Sequence, residues 1–209
     1  NFQVSLRPSN DNLRDKNAKR SEVLTFNSGG SGARPKHDGL NATAFPSGVM
    51  TMPIEATEHA GPVIIWRKEL RPDSGGNGKQ RGGLGQYMEV GAQEGYEFDF
   101  QAMFDRVNYP ALGRRGGGSG ASTSIEQDNG TPMNGKGKQF VPNGRKVIMA
   151  FPGGAGYGDA KGRALVQVKR DLLRGYISIE TAKEYYGLSQ EEIDVVQKAI
   201  VNGEDFYSY

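Results

Sequence analysis

The residues of this sequence best suited to chemistry are charged side chains set in glycine turns. Arg34 follows Gly29-Gly30-Ser31-Gly32-Ala33, and His37-Asp38 precede Gly39. Arg71 and Asp73 open Arg71-Pro72-Asp73-Ser74-Gly75-Gly76, and Arg81 leads into Gly82-Gly83-Leu84-Gly85. An unpaired guanidinium in a cleft binds carboxylate or phosphate through its planar fork of N–H donors, and glycine-turn amides supply further donors for an anion. The same guanidinium paired with an aspartate across two turns would instead lock loop geometry. Residue types leave both roles open, so Arg34, His37, Asp38, Arg71, Asp73 and Arg81 stand as substrate-binding or site-supporting candidates. No catalytic residue is assigned.

Other chemistries fit less well. The absence of cysteine removes disulfides, thiolate zinc sites, iron–sulfur clusters and a cysteine nucleophile. His37 and His59, with Asp38, Glu55 and Glu58 nearby, match no zinc spacing, so no metal is expected on this segment. Ser119, Ser122, Thr123 and Ser124 have no convincing His or Lys base beside them. The stretch Gly130-Thr-Pro-Met-Asn-Gly135-Lys136-Gly137 approaches a phosphate-binding loop, but glycine stands where a Ser or Thr hydroxyl must reach magnesium. A β-turn loop is the better reading. Gly153-Gly154-Ala155-Gly156-Tyr157-Gly158 sits between a strand pattern and a helix pattern, as a dinucleotide loop would, yet lacks the G-x-G-x-x-G spacing. Glycines there are expected to let backbone pass close to backbone or to a ligand.

The elements that must position these residues come in two kinds. From Val23 to about Phe151, short β-type runs alternate with glycine clusters: VLTF, VIIW at 63–66, GQYMEV at 85–90, EFDFQAMF at 97–104 and KVIMAF at 146–151. Alternation places Phe98, Phe100, Ala102 and Phe104 on one buried face, and the apolar run VIIW predicts a strand covered on both sides. After Asp159 the period becomes helical through Ala164, Leu165, Val168, Leu172 and Leu173, with Gly175 as a left-handed stop. Ser178 predicts the cap of a second helix ended by Gly187; Ser189-Gln190-Glu191-Glu192 is a capping box opening a third, with Ile193, Val196 and Ile200 on one side. Tyr185, Tyr186, Phe206, Tyr207 and Tyr209 are expected to pack within the chain or on another.

The fold expected is therefore mainly β (α+β), a glycine-rich multi-stranded body with a helical appendage. Residues 1–27 read as an exposed arm, polar over 7–22, with the first strand; 28–160 as the β-rich domain; and 161–209 as the helical tail. Glycine, 31 of 209 residues, is about twice its usual ~7% share, so many backbone positions are special. With 26 Lys and Arg against 24 Asp and Glu, the net charge of +2 carries no excess that would drive binding to nucleic acid or anionic lipid. No apolar run nears the roughly 18 residues of a spanning helix. The chain opens on Asn1 with no charged-then-apolar leader, so a cytoplasmic protein with an upstream portion is expected.

Four strings in order, GGSGARPKHDGLNATAFPSGVMTMPIEATE, WRKELRPDSGGNGKQRGGLGQ, AMFDRVNYPALGRRGGGSGA and FPGGAGYGD, carry a resemblance. Over about 28–187 the chain resembles the C-terminal part of the hydantoinase B / 5-oxoprolinase family, RPDSGGNGKQRGGLG at 71–85 being the most specific segment. The closing loop departs slightly, with Ala155 and Ala160 where GGGGYGDP is common, and 188–209 lies outside the pattern. The resemblance implies part of a bacterial, cytoplasmic, heteromeric enzyme. A hydantoinase A type subunit would carry ATP and magnesium, the upstream part of the B subunit would hold a divalent metal, and the substrate would be a cyclic amide such as a hydantoin, 5-oxoproline or a lactam. Phosphorylating the amide oxygen makes the ring carbon electrophilic, which explains the use of ATP to open an unstrained ring. The same resemblance allows a ketone carboxylase of the acetone or acetophenone type, or a non-catalytic assembly module, and implies little activity for this segment alone.

Overall fold

The computed structural model describes residues 2–9, 20–44, 48 and 52–203. Among the described residues, eight strands form two antiparallel four-stranded sheets. The first has the order β2-β1-β5-β7, from β1 (Phe2–Pro8), β2 (Ser21–Thr25), β5 (Tyr96–Met103) and β7 (Lys136–Val141). The second has the order β3-β4-β8-β6, from β3 (Val63–Leu70), β4 (Gln86–Ala92), β6 (Ser124–Gln127) and β8 (Lys146–Ala150). A short helix α1 (Ile54–His59) precedes β3, and α2 (Leu165–Leu173), α3 (Ile179–Glu184) and α4 (Gln190–Val201) close the described chain.

The sheets pack face to face because each strand's period-2 alternation sends one row of apolar side chains inward. Register aligns those rows: Val4 lies between Val23 and Phe100, and Phe98 between Leu6 and Val141. In the other sheet Val90 pairs with Ile65 and Val147, and Met149 with Met88 and Ile125. These residues form one buried cluster whose aromatic spine is Phe2, Phe100 and Phe104, stacked with ring centroids 5.2–6.4 Å apart. Phe98, Phe100, Ala102 and Phe104 are all buried, as their alternation requires.

The structure departs from expectation in three places, two in strands and one in a helix. Arg7 and Pro8 end β1 and Ser21 and Glu22 open β2, so the polar stretch 7–22 is strand at both ends; residues 10–19 lie outside the described residues. Period-2 burial of Phe2, Val4 and Leu6 makes β1 an interior strand. The VIIW strand is an edge, covered on one face only. A bulge between Ile65 and Arg67 turns Trp66 outward, where it is 56% exposed under the Lys146 ammonium, 4.1 Å from the ring centroid. On α4, Ile193, Val196 and Ala199 are buried while Ile200 faces out, because Ala199 completes the i, i+3, i+6 stripe.

The helical tail otherwise follows its caps. Ser178 Oγ accepts the Thr181 N–H, Ser189 and Glu192 make the reciprocal capping box, and Gly175 and Gly187 adopt positive φ beyond α2 and α3. The tail has a core of its own from Val168, Leu172, Ile177, Ala182, Leu188, Ile193 and Val196. Phe206, Tyr207 and Tyr209 lie outside the described residues.

Between sandwich and tail runs a third layer, which forms no regular sheet. The connections after β2, β3, β5 and β8 leave the same end of the sandwich as extended glycine-rich threads. Successive residues of the thread 152–158 bond to different neighbours: Pro152 O accepts from Gly30, Gly153 donates to Ala121 O, Gly154 to Gly83 O, and Gly156 to Gly118 O. Gly76 donates back to Gly154 O at 2.8 Å, and Gly83 to Ser31 O at 2.8 Å. A thread bonded on several sides leaves no direction for a side chain. This is what the glycine excess is for.

Candidate functional site

The thread layer brings Asp38 and Arg81 together. Asp38 Oδ1 accepts the Arg81 backbone N–H at 2.8 Å and Arg163 Nη1 at 2.8 Å, while its Oδ2 accepts Arg163 Nη2 at 2.7 Å. Arg163 Nη2 also donates to Asp171 Oδ2 at 2.7 Å, the same oxygen that Arg81 Nε reaches at 3.3 Å. Arg81 Nη1 donates to Gly82 O at 2.6 Å, and its guanidinium lies 5.1 Å from the Tyr176 ring centroid. The side chains of Arg81, Arg163 and Asp171 are only 4%, 1% and 7% exposed. Two guanidinium ions thus face two carboxylates in a charge-balanced chain, Asp38–Arg163–Asp171–Arg81, buried except at the half-buried Asp38. Burial pushes the Asp38 carboxyl up, but the Arg163 fork and the Arg81 N–H outweigh it and hold it below the ordinary carboxylate value. Burial likewise works against the Arg163 charge, and the two carboxylates overcome it, raising the guanidinium above its ordinary value.

The other candidates are placed apart. Arg71 Nη1 donates to Ser122 O at 2.7 Å and Phe151 O at 3.2 Å, tying two threads at the sandwich end. Asp73, with φ +56°, donates its N–H to Tyr176 O at 3.0 Å and accepts the Ser178 N–H on Oδ1 at 2.9 Å, so it fastens the loop before α3. Arg34 and His37 close a small turn through paired backbone bonds of 2.9 and 3.3 Å and point exposed side chains outward. The candidates do not share one cleft. Asp38, Arg71, Asp73 and Arg81 hold the threads to each other or to the tail.

Arg163 and Asp171 escape the sequence reading because their partners are 125 and 90 residues away. One signal was available: Asp171 stands three residues after Val168 and beside Leu172, a carboxylate on the buried stripe of α2. Tyr186 adds to the same seam. Its hydroxyl accepts the Gly78 N–H at 3.4 Å and donates to Asn77 Oδ1 at 3.3 Å, and burial first of all pushes its pKa up. Tyr186 therefore docks on the threads of its own chain. The network's charges pair with one another, although the buried Arg163 Nε–H has no hydrogen-bond partner among the described residues, so its chemical capacity is to position the tail on the threads.

Among known proteins, the model of the family described as Hydantoinase B/oxoprolinase matches residues 5–160. The chain is 31% identical over 189 residues to the caprolactamase subunit beta of Pseudomonas jessenii, covering 79% of this chain and 30% of that one. It is 30% identical over 200 residues to the acetophenone carboxylase delta subunit of Aromatoleum aromaticum, covering 78% and 29%. The solved structure of the ATP-dependent caprolactamase from Pseudomonas jessenii superimposes with a TM-score of 0.72 at 24% identity, over 97% of this chain and 36% of that one. The chain spans about a third of the length of these relatives. Family match, order of motifs and fold agree: the chain belongs to the hydantoinase B/oxoprolinase family.

Proposed function

We propose that this chain is the C-terminal part of a hydantoinase B type subunit in a cytoplasmic, ATP-dependent hydrolase that opens cyclic amides. The observation that carries the reading is the likeness to a caprolactamase subunit, a lactam-opening relative by name, across sandwich, threads and tail. A hydantoinase A type partner would hold ATP and magnesium, and the upstream part of the B-type subunit would hold a divalent metal. This segment's share is to complete the substrate or intermediate cavity and the assembly. Its buried Arg–Asp network supports that share, because it fixes the threads rigidly from which exposed groups such as Arg34 and His37 project.

Ketone carboxylation is the second reading, favoured by the likeness to the acetophenone carboxylase subunit. The test is reconstitution of this chain with the upstream B-type portion and an A-type ATPase, followed by ATP turnover. Turnover coupled to ring opening of a hydantoin, 5-oxoproline or caprolactam supports the hydrolase. Turnover that requires bicarbonate and a ketone overturns it in favour of the carboxylase. An assembled complex in which this chain changes neither activity would make it an assembly module, and there deletion of 188–209 should break the complex.

A further inference from the structure

We infer that the cavity at the seam between threads and sandwich is an anion site for a small carboxylate or phosphoryl group, held by Arg106 and by the backbone amides of Ser28, Gly29 and Gly32. The inference is independent of which reaction the assembled enzyme runs. The cavity measures about 450 Å³, and its lining includes the thread 28–32, Phe104, Asp105 and Arg106, and Phe151 and Pro152. Such a volume suits a small ligand.

Three observations converge on it. Arg106 holds φ +58°, a backbone conformation that costs a non-glycine residue free energy and persists where the surroundings enforce it. They do so here: Thr123 Oγ1 donates to Asp105 O at 2.7 Å and the Thr123 N–H to Arg106 O at 2.9 Å, clamping the chain on both sides of Arg106. Second, the Arg106 guanidinium has no hydrogen-bond or ion-pair partner among the described residues, whereas the carboxylate of Asp105 is taken by Lys136 at 2.8 Å. Arg106 therefore meets Asp105 only through a long-range coulombic pull, the weakest of those acting on that carboxylate, and keeps its N–H donors unused. Third, the N–H groups of Ser28, Gly29 and Gly32 make no hydrogen bond within the described residues, while Gly30 and Ser31 between them are bonded to Pro152 O and Leu40 O. Glycine at 29 also lets this wall pack directly on the neighbouring thread, since a Cβ there would lie 2.4 Å from Pro152 O. Unbonded amides on a glycine thread that lines the same cavity as an arginine supply the donors that a carboxylate or phosphoryl group accepts.

The test is an amide-resolved NMR titration of the 209-residue chain with inorganic phosphate and, separately, with glutarate, chloride holding ionic strength constant. Saturable shifts at Ser28, Gly29 and Gly32 are expected, and the anion that saturates at lower concentration identifies the ligand chemistry. Arg106→Gln should weaken that binding at least tenfold, whereas Arg115→Gln, at an equally left-handed and exposed arginine outside the cavity, should not. Arg106→Gly guards against a folding artefact: glycine relaxes the backbone, so its Tm should hold or rise while binding is lost just as far. Shifts that never saturate, that follow the exposed Arg34–His37 turn instead, or that survive either Arg106 substitution would overturn the site.

Discussion

The sandwich and the thread layer solve packing by opposite means. In the sandwich, Phe2, Phe98 and Phe100, each no more than 1% exposed, fill space with side chains, and hydrogen bonds run in regular ladders beneath them. In the threads the backbone itself is the packing unit. A Cβ on Gly153 would lie 1.6 Å from Ser74 O, one on Gly30 1.8 Å from Gly83 O, and one on Gly154 1.8 Å from Ser31 O. The sandwich is specified by what its side chains supply, and the threads by side chains they lack. Removing atoms is therefore the sharpest test of the sandwich, and adding one the sharpest test of the threads.

The largest effect expected follows from that contrast. Gly153→Ala sets a methyl carbon against a carbonyl that is itself fixed by the Ala121 N–H, so relief requires two threads to part. We expect a loss of more than about 4 kcal/mol, seen as failure to accumulate folded protein. Phe100→Ala removes a whole ring from the aromatic spine and should cost about 3–5 kcal/mol. If urea denaturation ranks the ring deletion as the worse of the two, the backbone-packing account of the threads is wrong.

The junction between threads and tail should respond to charge before volume. Asp171→Ala leaves Arg81 and Arg163 buried with Asp38 as their one remaining carboxylate, at a cost of about 3–5 kcal/mol. Hydrogen exchange should show faster opening of α2 and α3 than of the sandwich strands, and uniform acceleration would refute a localised role. Acid probes the same junction more gently. The Asp38 pKa is lower folded than unfolded, so its contribution to stability is complete above the unfolded carboxylate value of about 3.9 and is lost as pH falls below it through the folded value. Melts should therefore hold between pH 6 and about pH 4 and fall as the pH is lowered from there, less steeply in Asp38→Asn.

How much of this was readable depends on the range of the interaction. Alternation at 98–104 and the Ser189–Glu192 capping box are local, and they named a buried face and a helix start correctly. Strand β1 carries the same alternation in Phe2, Val4 and Leu6, but it is short and runs into a polar stretch that masks it. Strand β7 has no apolar alternation to read, because its inward row is Gly137 opposite Ala102, Gln139 opposite Phe100 and only then Val141. At the junction, Asp38 and Arg81 stood out among their glycines, whereas Arg163 and Asp171 are joined to them only by the fold. Arg106 gave no sign at all, since neither its left-handed backbone nor its unpaired guanidinium has a sequence signature.

The smallest effect isolates the reason the threads need glycine. Gly144, in the turn between β7 and β8, has φ +77° but nothing within 4 Å of where a Cβ would be. Alanine there meets only the intrinsic cost of a left-handed backbone, about 1–2 kcal/mol. Gly153 is the converse, a glycine without positive φ whose Cβ would meet another chain segment. The same methyl group at the two positions therefore separates conformation from packing. Thermal melts of Gly144→Ala should show a small cooperative shift, with soluble yield unchanged. A loss at Gly144 as severe as that at Gly153 would mean that backbone conformation, and not the close approach of threads, sets the demand for glycine throughout this chain.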